Sequence, residues 1–266
     1  MKSSSKRRIR DRASRNVIQG GVTSPRHIQG TAVADYSEYL ERISSPGMFE
    51  RKCDYLRHNF ARFFGPGNRV LEIGPGRGEF LFFAREKGCA FVDVVDRDKG
   101  VLEYVREDPI VRHRWQCSAE KIDDLKGDLG EYDRIFLLQV MEHIETQHLQ
   151  EFLKSLYNRL APGGKILITV PNGANPLSIV ERYSDITHHN LFSENSLREL
   201  VELTGLPGAS TEVQGYRIPP NGIINVTRIF LQWGLHLLLK ALLVVNGGVY
   251  FSIYQPNVTL IVTREG

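Results

Sequence analysis

The stretch V-L-E-I-G-P-G-R-G-E-F, from Val70 to Phe80, places three glycines at alternate positions directly after an apolar run. Such a turn lets the backbone approach a ligand closely. The dinucleotide-binding fingerprint requires G-x-G-x-x-G, but Glu79 stands three residues after Gly76, and no Gly-Lys-Ser/Thr follows as in a P-loop. The spacing therefore disfavours an NAD enzyme and excludes a Walker-type phosphate site.

Short apolar runs alternate with helical stretches through the middle of the chain, which predicts parallel βαβ units and a sheet covered on both faces. Ligands of such sheets bind at the carboxyl ends of the strands. Four segments are therefore expected to lie together: the glycine loop, the Asp96 turn, residues 139–143 and the turn at 171–172. The predicted strands and helices are 69–73, 79–87, 91–95, 99–106, 134–139, 147–160, 165–170, 211–218 and 257–264.

The N-terminal part of the chain divides into a tail (1–30) and a helical cover (31–66), with a break between two helices at Ser45-Pro46-Gly47. Residues 1–15 carry seven cations against one aspartate, although the whole chain has a net charge of only +3. With few large apolar side chains, this tail is expected to be disordered. It either solubilises the protein or is attracted to anionic lipid headgroups or nucleic acid.

No apolar segment follows the basic tail, so a secretory signal is not indicated. The three cysteines have no C-x-x-C spacing and are interpreted as reduced thiols of a cytoplasmic protein.

Residues 223–245 form a predicted apolar helix with one polar stripe at i, i+4 spacing, namely Arg228, Gln232, His236 and Lys240. Three arrangements stay open. The helix packs on the body or on a partner subunit, lies in a membrane interface, or spans a bilayer, although the polar stripe makes spanning costly.

The motif E-I-G-P-G-R-G resembles the first motif of the class I S-adenosylmethionine-dependent methyltransferases, and the resemblance runs from about Gly67 to Leu206. It implies an α/β, Rossmann-like fold whose seven-stranded sheet is mostly parallel with the last strand antiparallel. N-terminal helices precede this methyltransferase domain (67–266), and a helical insertion at about 221–247 separates its last two strands. The implied cofactor is S-adenosyl-L-methionine.

The resemblance also assigns residues to the cofactor. Asp96 ends an apolar strand 22 residues after Gly74, where a carboxylate accepts both ribose hydroxyls. Asp98 is instead predicted to be a helix N-cap. The glycines line the methionine portion of the cofactor, and Glu72 acts near its amino group. Ser118 accepts a hydrogen bond from the adenine amino group, and Gln139 borders the transferred methyl group. The full cofactor set is Glu72, Gly74, Gly76, Gly78, Asp96, Arg97, Ser118, Ala119 and Gln139.

The stretch D-I-T-H-H-N-L-F-S (185–193) resembles a methyltransferase subgroup in which this segment lies over the active site. Methyl transfer to a hydroxyl requires alignment of the acceptor and removal of its proton, and histidine suits that base role. His188 is the first candidate and His143 the second, with Asp185 beside them; the alternative is that they only hold the loop. Asp185, His188 and His189 are able to bind metals, but no paired acids typical of metal-dependent O-methyltransferases are evident, so no metal is expected.

The layout resembles bacterial methyltransferases of cell-surface glycan synthesis, which implies O-methylation of a sugar hydroxyl on a lipid-linked or polymeric acceptor. Two alternatives are O-methylation of a lipophilic phenol or quinone precursor, and a cofactor-binding protein that transfers nothing. No Asn-Pro-Pro-Tyr-like element is present, which argues against methylation of a nucleobase amino group. No nucleic-acid partner is expected. A homodimer is a further expectation. A membrane surface is also expected as a partner, contacted through residues 223–245 and the basic tail, so that the protein is peripheral on the inner face of the membrane.

Overall fold

The structure is a computed structural model that describes residues 47–125, 127–248 and 251–266, apart from the side chains of residues 181 and 182. The predicted basic tail, its predicted disorder and the helix predicted before Ser45 lie outside the described residues. The division into tail, helical cover and methyltransferase domain therefore stays a prediction.

One seven-stranded sheet forms the centre of the molecule. Its strands are β1 (Arg69–Ile73), β2 (Phe91–Asp96), β3 (Val111–Gln116), β4 (Tyr132–Leu138), β5 (Leu160–Pro171), β6 (Ala209–Gly215) and β7 (Asn257–Arg264). They are arranged in the order β3-β2-β1-β4-β5-β7-β6. Neighbouring strands are parallel except that β7 runs antiparallel to both β5 and β6. This confirms the predicted sheet, including its antiparallel last strand.

Helices cover both faces of the sheet. They are α1 (Met48–Phe60), α2 (Glu79–Glu86), α3 (Lys99–Tyr104), α4 (Leu149–Tyr157), α5 (Ile179–Ser184), α6 (Glu194–Thr204) and α7 (Gly222–Val245). An aromatic cluster that includes Phe60, Phe64, Phe80 and Phe136 joins α1 and α2 to one face. Apolar side chains of α4 and α6 pack on the other face. Burial on both faces explains why the central strands read as continuous apolar runs.

Helix starts follow the sequence signals closely. Asp98 caps α3 by accepting hydrogen bonds from the backbone N–H groups of Gly100 (2.7 Å) and Val101 (3.3 Å), which confirms its predicted role. Ser193 and Ser196 form a reciprocal capping box at the start of α6. These local signals place the ends of the loops that line the site.

Strand β3 was missed by the sequence prediction. It lies at the edge of the sheet and carries exposed Arg112, His113 and Arg114, so its residues show no apolar run. Arg112 pairs with fully buried Asp93 on β2, and the Tyr132 hydroxyl donates to the same carboxylate at 2.8 Å. A polar network therefore attaches this edge strand to the core.

Candidate functional site

The sheet order reverses between β1 and β4, because β1 is continued by β2 on one side and has β4 on the other. Open α/β sheets bind ligands at such a switch point, at the carboxyl ends of the strands. The glycine loop follows β1 here, and Gln139 follows β4. The predicted glycine loop and methyl-bordering segment are thus adjacent.

Gly74 shows how closely the two segments approach. Its φ is +77°, and a Cβ atom at this position would lie 2.7 Å from Val140 Cγ2. Only glycine fits, because the left-handed conformation disfavours a side chain and the space is filled. Gly76 and Gly78 also have positive φ (+53° and +78°), so the loop is tightly curved throughout.

Glu72 on β1 is buried, and its Oε2 has no hydrogen-bond partner among the described residues. Burial raises the pKa of this carboxyl well above its usual value, and the neighbouring carboxylates of Glu79 and Asp96 raise it further. A buried acceptor without a donor, next to other acids, suits a cationic amino group. The residues around the loop therefore fit the ammonium and sulfonium charges of S-adenosylmethionine.

Asp96 ends β2 as predicted. Its Oδ1 accepts a hydrogen bond from the Asp98 backbone N–H at 2.8 Å, and burial raises its pKa to about 6. The backbone carbonyl of Asp96 also accepts from Cys117 at 2.9 Å, which brings the end of β3 alongside. Ser118 and Ala119, at the start of a 3-10 turn there, are thereby placed next to the Asp96 turn. Arg97 accepts a hydrogen bond from Gln116 through its backbone carbonyl.

Gln139 is the only non-glycine residue with positive φ (+59°) in the described part of the chain. Its side-chain amide donates to Asn257 Oδ1 at 3.1 Å, and its backbone N–H donates to Thr169. A strained backbone held by neighbouring strands is common where a binding site must be shaped. The geometry is consistent with Gln139 lining the site.

The three predicted catalytic residues lie together at the end of β4. The Thr187 hydroxyl donates to Asp185 Oδ1 at 2.7 Å, and His143 Nδ1 lies 2.9 Å from the same hydroxyl oxygen. The rings of His143 and His188 are 4.6 Å apart, and His188 Nε2 is 3.9 Å from Asp185 Oδ2. Thr187, which the sequence analysis did not single out, therefore links the predicted residues.

The segment that follows Asp185 is held against the end of β4 by its backbone. The N–H groups of His189 (2.9 Å) and Asn190 (3.2 Å) both donate to the Glu142 carbonyl, and the Asn190 amide donates to Ile144. Asn190 was also missed, since its contacts are with residues more than 40 positions away. His189 thus has a backbone contact that holds the loop.

Three side chains form a candidate metal-binding group: the ligating atoms of Glu142, His143 and His188 all lie within 4.8 Å of one another. This set differs from the metal-capable residues noted in the sequence, because only His188 is common to both. The expectation that no metal is required stays a prediction.

Comparisons with known proteins agree with this geometry. Residues 47–210 match the family model described as a methyltransferase domain. The chain belongs to this methyltransferase family. Membership supports the class I assignment and S-adenosylmethionine as its cofactor.

A curated relative of this methyltransferase is the mitochondrial ubiquinone biosynthesis O-methyltransferase of Mus musculus, with 24% identity over 161 residues. The match covers 55% of this chain and 42% of the mouse protein, so the chain spans less than half of that relative.

Solved structures share the fold of this methyltransferase. A SAM-dependent methyltransferase from Archaeoglobus fulgidus aligns with TM-score 0.60 and 22% identity over 86% of this chain and 99% of its own. A methyltransferase in complex with the Haloferax volcanii Trm112 activator aligns with TM-score 0.64 and 14% identity, over 88% and 100% of the two chains. At these identities the likeness shows the fold alone.

Proposed function

We propose that this methyltransferase transfers the methyl group of S-adenosylmethionine to a hydroxyl group, with a histidine as general base. The observation that carries the proposal is the hydrogen-bonded series Asp185–Thr187–His143, which involves the segment after β4 that also packs on the glycine loop through Val140. Acid, hydroxyl and imidazole in this order position a base for proton removal. A protein that only bound the cofactor would not require this arrangement.

The residues that would hold the cofactor are those of the β1 and β2 loops. Gly74, Gly76 and Gly78 allow close approach of the backbone, Glu72 offers a buried acceptor for the amino group, and Asp96 offers a carboxylate for the ribose hydroxyls. When bound, S-adenosylmethionine supplies an electrophilic methyl group. The protein then has to align the acceptor and receive its proton.

The proton positions follow from the hydrogen bonds. Burial raises the pKa of Asp185, but the hydrogen bonds from Thr187 outweigh it and hold the pKa below its usual value, so Asp185 is a carboxylate. The single proton of the Thr187 hydroxyl is donated to that carboxylate, so its oxygen accepts from His143 Nδ1–H. This leaves the lone pair on His143 Nε2, the form required of a base.

His143 is kept neutral by its surroundings. Burial lowers its pKa, and the nearby His188 lowers it further, so the imidazole is unprotonated at neutral pH. These contacts favour His143 over His188 as the base, which reverses the order of preference taken from the sequence. His188 then contributes to acceptor positioning at 4.6 Å from the base.

For the acceptor, we propose a hydroxyl on a lipophilic or lipid-linked molecule. The site has an apolar margin, because the exposed side chains include Leu177, Val180, Tyr183 and Ile186. They lie directly before and within residues 185–193, which we call the catalytic loop. A lipid-linked glycan and a phenol or quinone precursor both have this chemistry. The mouse relative, named for ubiquinone biosynthesis, supports the second of them.

The test uses methyl-labelled cofactor with two acceptor sets, lipophilic phenols and lipid-linked glycans, followed by identification of the labelled product. We expect kcat to fall by about 10²-fold or more in His143→Gln, because the base is removed. We expect Thr187→Val to lose activity and Thr187→Ser to retain it, since only the hydroxyl orients the imidazole.

Two outcomes would contradict the proposal. Transfer to neither acceptor set, with S-adenosylhomocysteine still bound, would reject the acceptor class. Unchanged kcat in His143→Gln from about pH 6 to 9 would reject the base.

A further inference from the structure

The helix α7 is exposed along most of its surface. Among the described residues it is the one helix long and apolar enough to cross a membrane, yet almost none of it is buried. At 1.5 Å per residue its 24 residues extend about 36 Å. Phe230 (75% exposed), Leu231 (69%), Trp233 (67%) and Leu238 (55%) all face outward. A surface of this size and composition is unusual in water.

The exposed side of α7 is far more apolar than that of a soluble surface helix, which places apolar residues inward and polar residues outward. Its less exposed stripe includes Asn225, Gln232, His236 and Lys240. Its exposed side carries only two polar side chains, Thr227 and Arg228, and the Thr227 hydroxyl donates back to the carbonyl of Ile223. The polar stripe predicted from the sequence thus lies mainly on the less exposed side, and a large apolar side is left exposed.

Contacts hold α7 alongside the body. Asn221 donates to Asp54 on α1 at 2.6 Å, Leu239 is buried, and the ring of His236 lies 6.0 Å from that of Tyr254. Gln232 and His236 line a cavity between the helix and the body. Because the helix is attached at its start and its middle, it is placed to lie in an interface, and spanning would draw the body into the bilayer.

The charges near α7 favour an anionic surface as its contact. No aspartate or glutamate occurs between Glu212 and Glu265, and Arg217 and Arg228 are exposed cations in this stretch, whereas Lys240 belongs to the less exposed stripe. A second copy of the chain packed through this helix would add the same cations to the interface, and α7 has no aspartate or glutamate to pair with them. An anionic bilayer would instead offset them and would accept the apolar side chains.

Buried contacts connect α7 with the segment that precedes Asp185. Tyr254, beside His236, accepts a hydrogen bond from the Asn175 amide at 2.9 Å, and Asn175 caps the turn that leads to α5. The exposed side chains of α5 directly precede Asp185. The two apolar segments are thereby linked through Tyr254 and Asn175.

We propose that α7 binds the protein to an anionic lipid bilayer by lying in its interface, with the outward apolar side in the acyl region, and that this docking brings the catalytic loop to an acceptor carried in the membrane. The second part rests on the proposed methyl transfer, whereas the membrane binding does not.

The test is flotation of the full chain with vesicles of phosphatidylcholine alone and of phosphatidylcholine with phosphatidylglycerol. The variant L231E/L238E places two charges one heptad apart on the outward side. L203E is the control for one added charge, because Leu203 is similarly exposed (62%) and belongs to α6, outside the helix proposed to dock. The affinity of each variant for S-adenosylhomocysteine is measured without vesicles. An unchanged affinity shows that the variant is folded and that any loss of flotation is not a loss of cofactor binding.

We expect the full chain and L203E to float with anionic vesicles, and the partition coefficient of L231E/L238E to fall by about tenfold or more for each leucine. Flotation that is unchanged in L231E/L238E would overturn the proposal. Absence of flotation by the full chain would overturn it as well. In that case, a dimer seen by light scattering and lost in L231E/L238E would assign the surface to a second copy.

Discussion

Substitution of Gly74 by alanine tests the packing between the glycine loop and the segment after β4. Two costs follow from the structure. The left-handed φ of +77° costs a residue with a Cβ about 1–2 kcal/mol. The new Cβ would lie 2.7 Å from Val140 Cγ2, and such overpacking costs about 1–3 kcal/mol. The expected loss in the free energy of unfolding is therefore about 2–5 kcal/mol.

Urea unfolding of four variants separates the two costs. Gly78→Ala has the same strain (φ +78°), but its Cβ would make only ordinary contacts, the nearest with Leu81 Cδ1 at 3.6 Å and Val105 Cγ1 at 3.8 Å. It should therefore lose about 1–2 kcal/mol. In the cycle of Gly74→Ala and Val140→Ala, we expect a favourable coupling of about 1–3 kcal/mol, because the shorter side chain removes the clash. Equal losses for Gly74→Ala and Gly78→Ala, or no coupling with Val140→Ala, would refute this reasoning.

Three further results are expected. Since burial raises the pKa of Asp96 to about 6, affinity for S-adenosylhomocysteine, measured by calorimetry, should fall as pH drops through about 6. The cofactor-free protein should instead lose stability as pH rises from 3.8 to about 6, because the folded state holds this proton more tightly than the unfolded state. A wild-type pH dependence in Asp96→Asn would contradict both expectations. Asp93→Ala should lower the free energy of urea unfolding by about 1–3 kcal/mol, because it leaves the buried Tyr132 hydroxyl without its acceptor, and the loss should be smaller in a Tyr132→Phe background. Burial raises the pKa values of the Cys53 and Cys89 thiols to about 11. After alkylation of the native protein at about pH 8, mass spectrometry should therefore show both thiols unmodified. Rapid labelling of either thiol would argue against its burial.

The sequence predicted the elements that have strong local signals. β1 and β7 have the predicted bounds, 69–73 and 257–264, because apolar runs and flanking turns mark them. Other bounds differ: α1 ends at Phe60, before the predicted Phe64, and β5 begins at Leu160, before the predicted Lys165. Exposed edge strand β3 has no such signal, since its stability comes from pairing with β2 and from Asp93.

The site was predicted only where its residues form local sequence motifs. The glycine spacing, Asp96 and the histidines are visible as sequence motifs, and the assignments of residues to cofactor and catalysis stay predictions. Thr187 was missed because a threonine in a polar loop has many roles, and only its contact with His143, 44 positions earlier, indicates one. That contact also supports the proposed proton on Nδ1 of His143.

The sequence by itself determined the fold class and the methyltransferase family, because glycine spacing and the alternation of strands and helices are local properties of the chain. Tertiary structure alone decided two other matters. It joined Asp185, Thr187 and His143 into one hydrogen-bonded series, and it placed the polar stripe of α7 mainly on the less exposed side, leaving the apolar side exposed. Both depend on contacts between segments distant in sequence, and a helical pattern shows which residues share a face but not which face meets the protein.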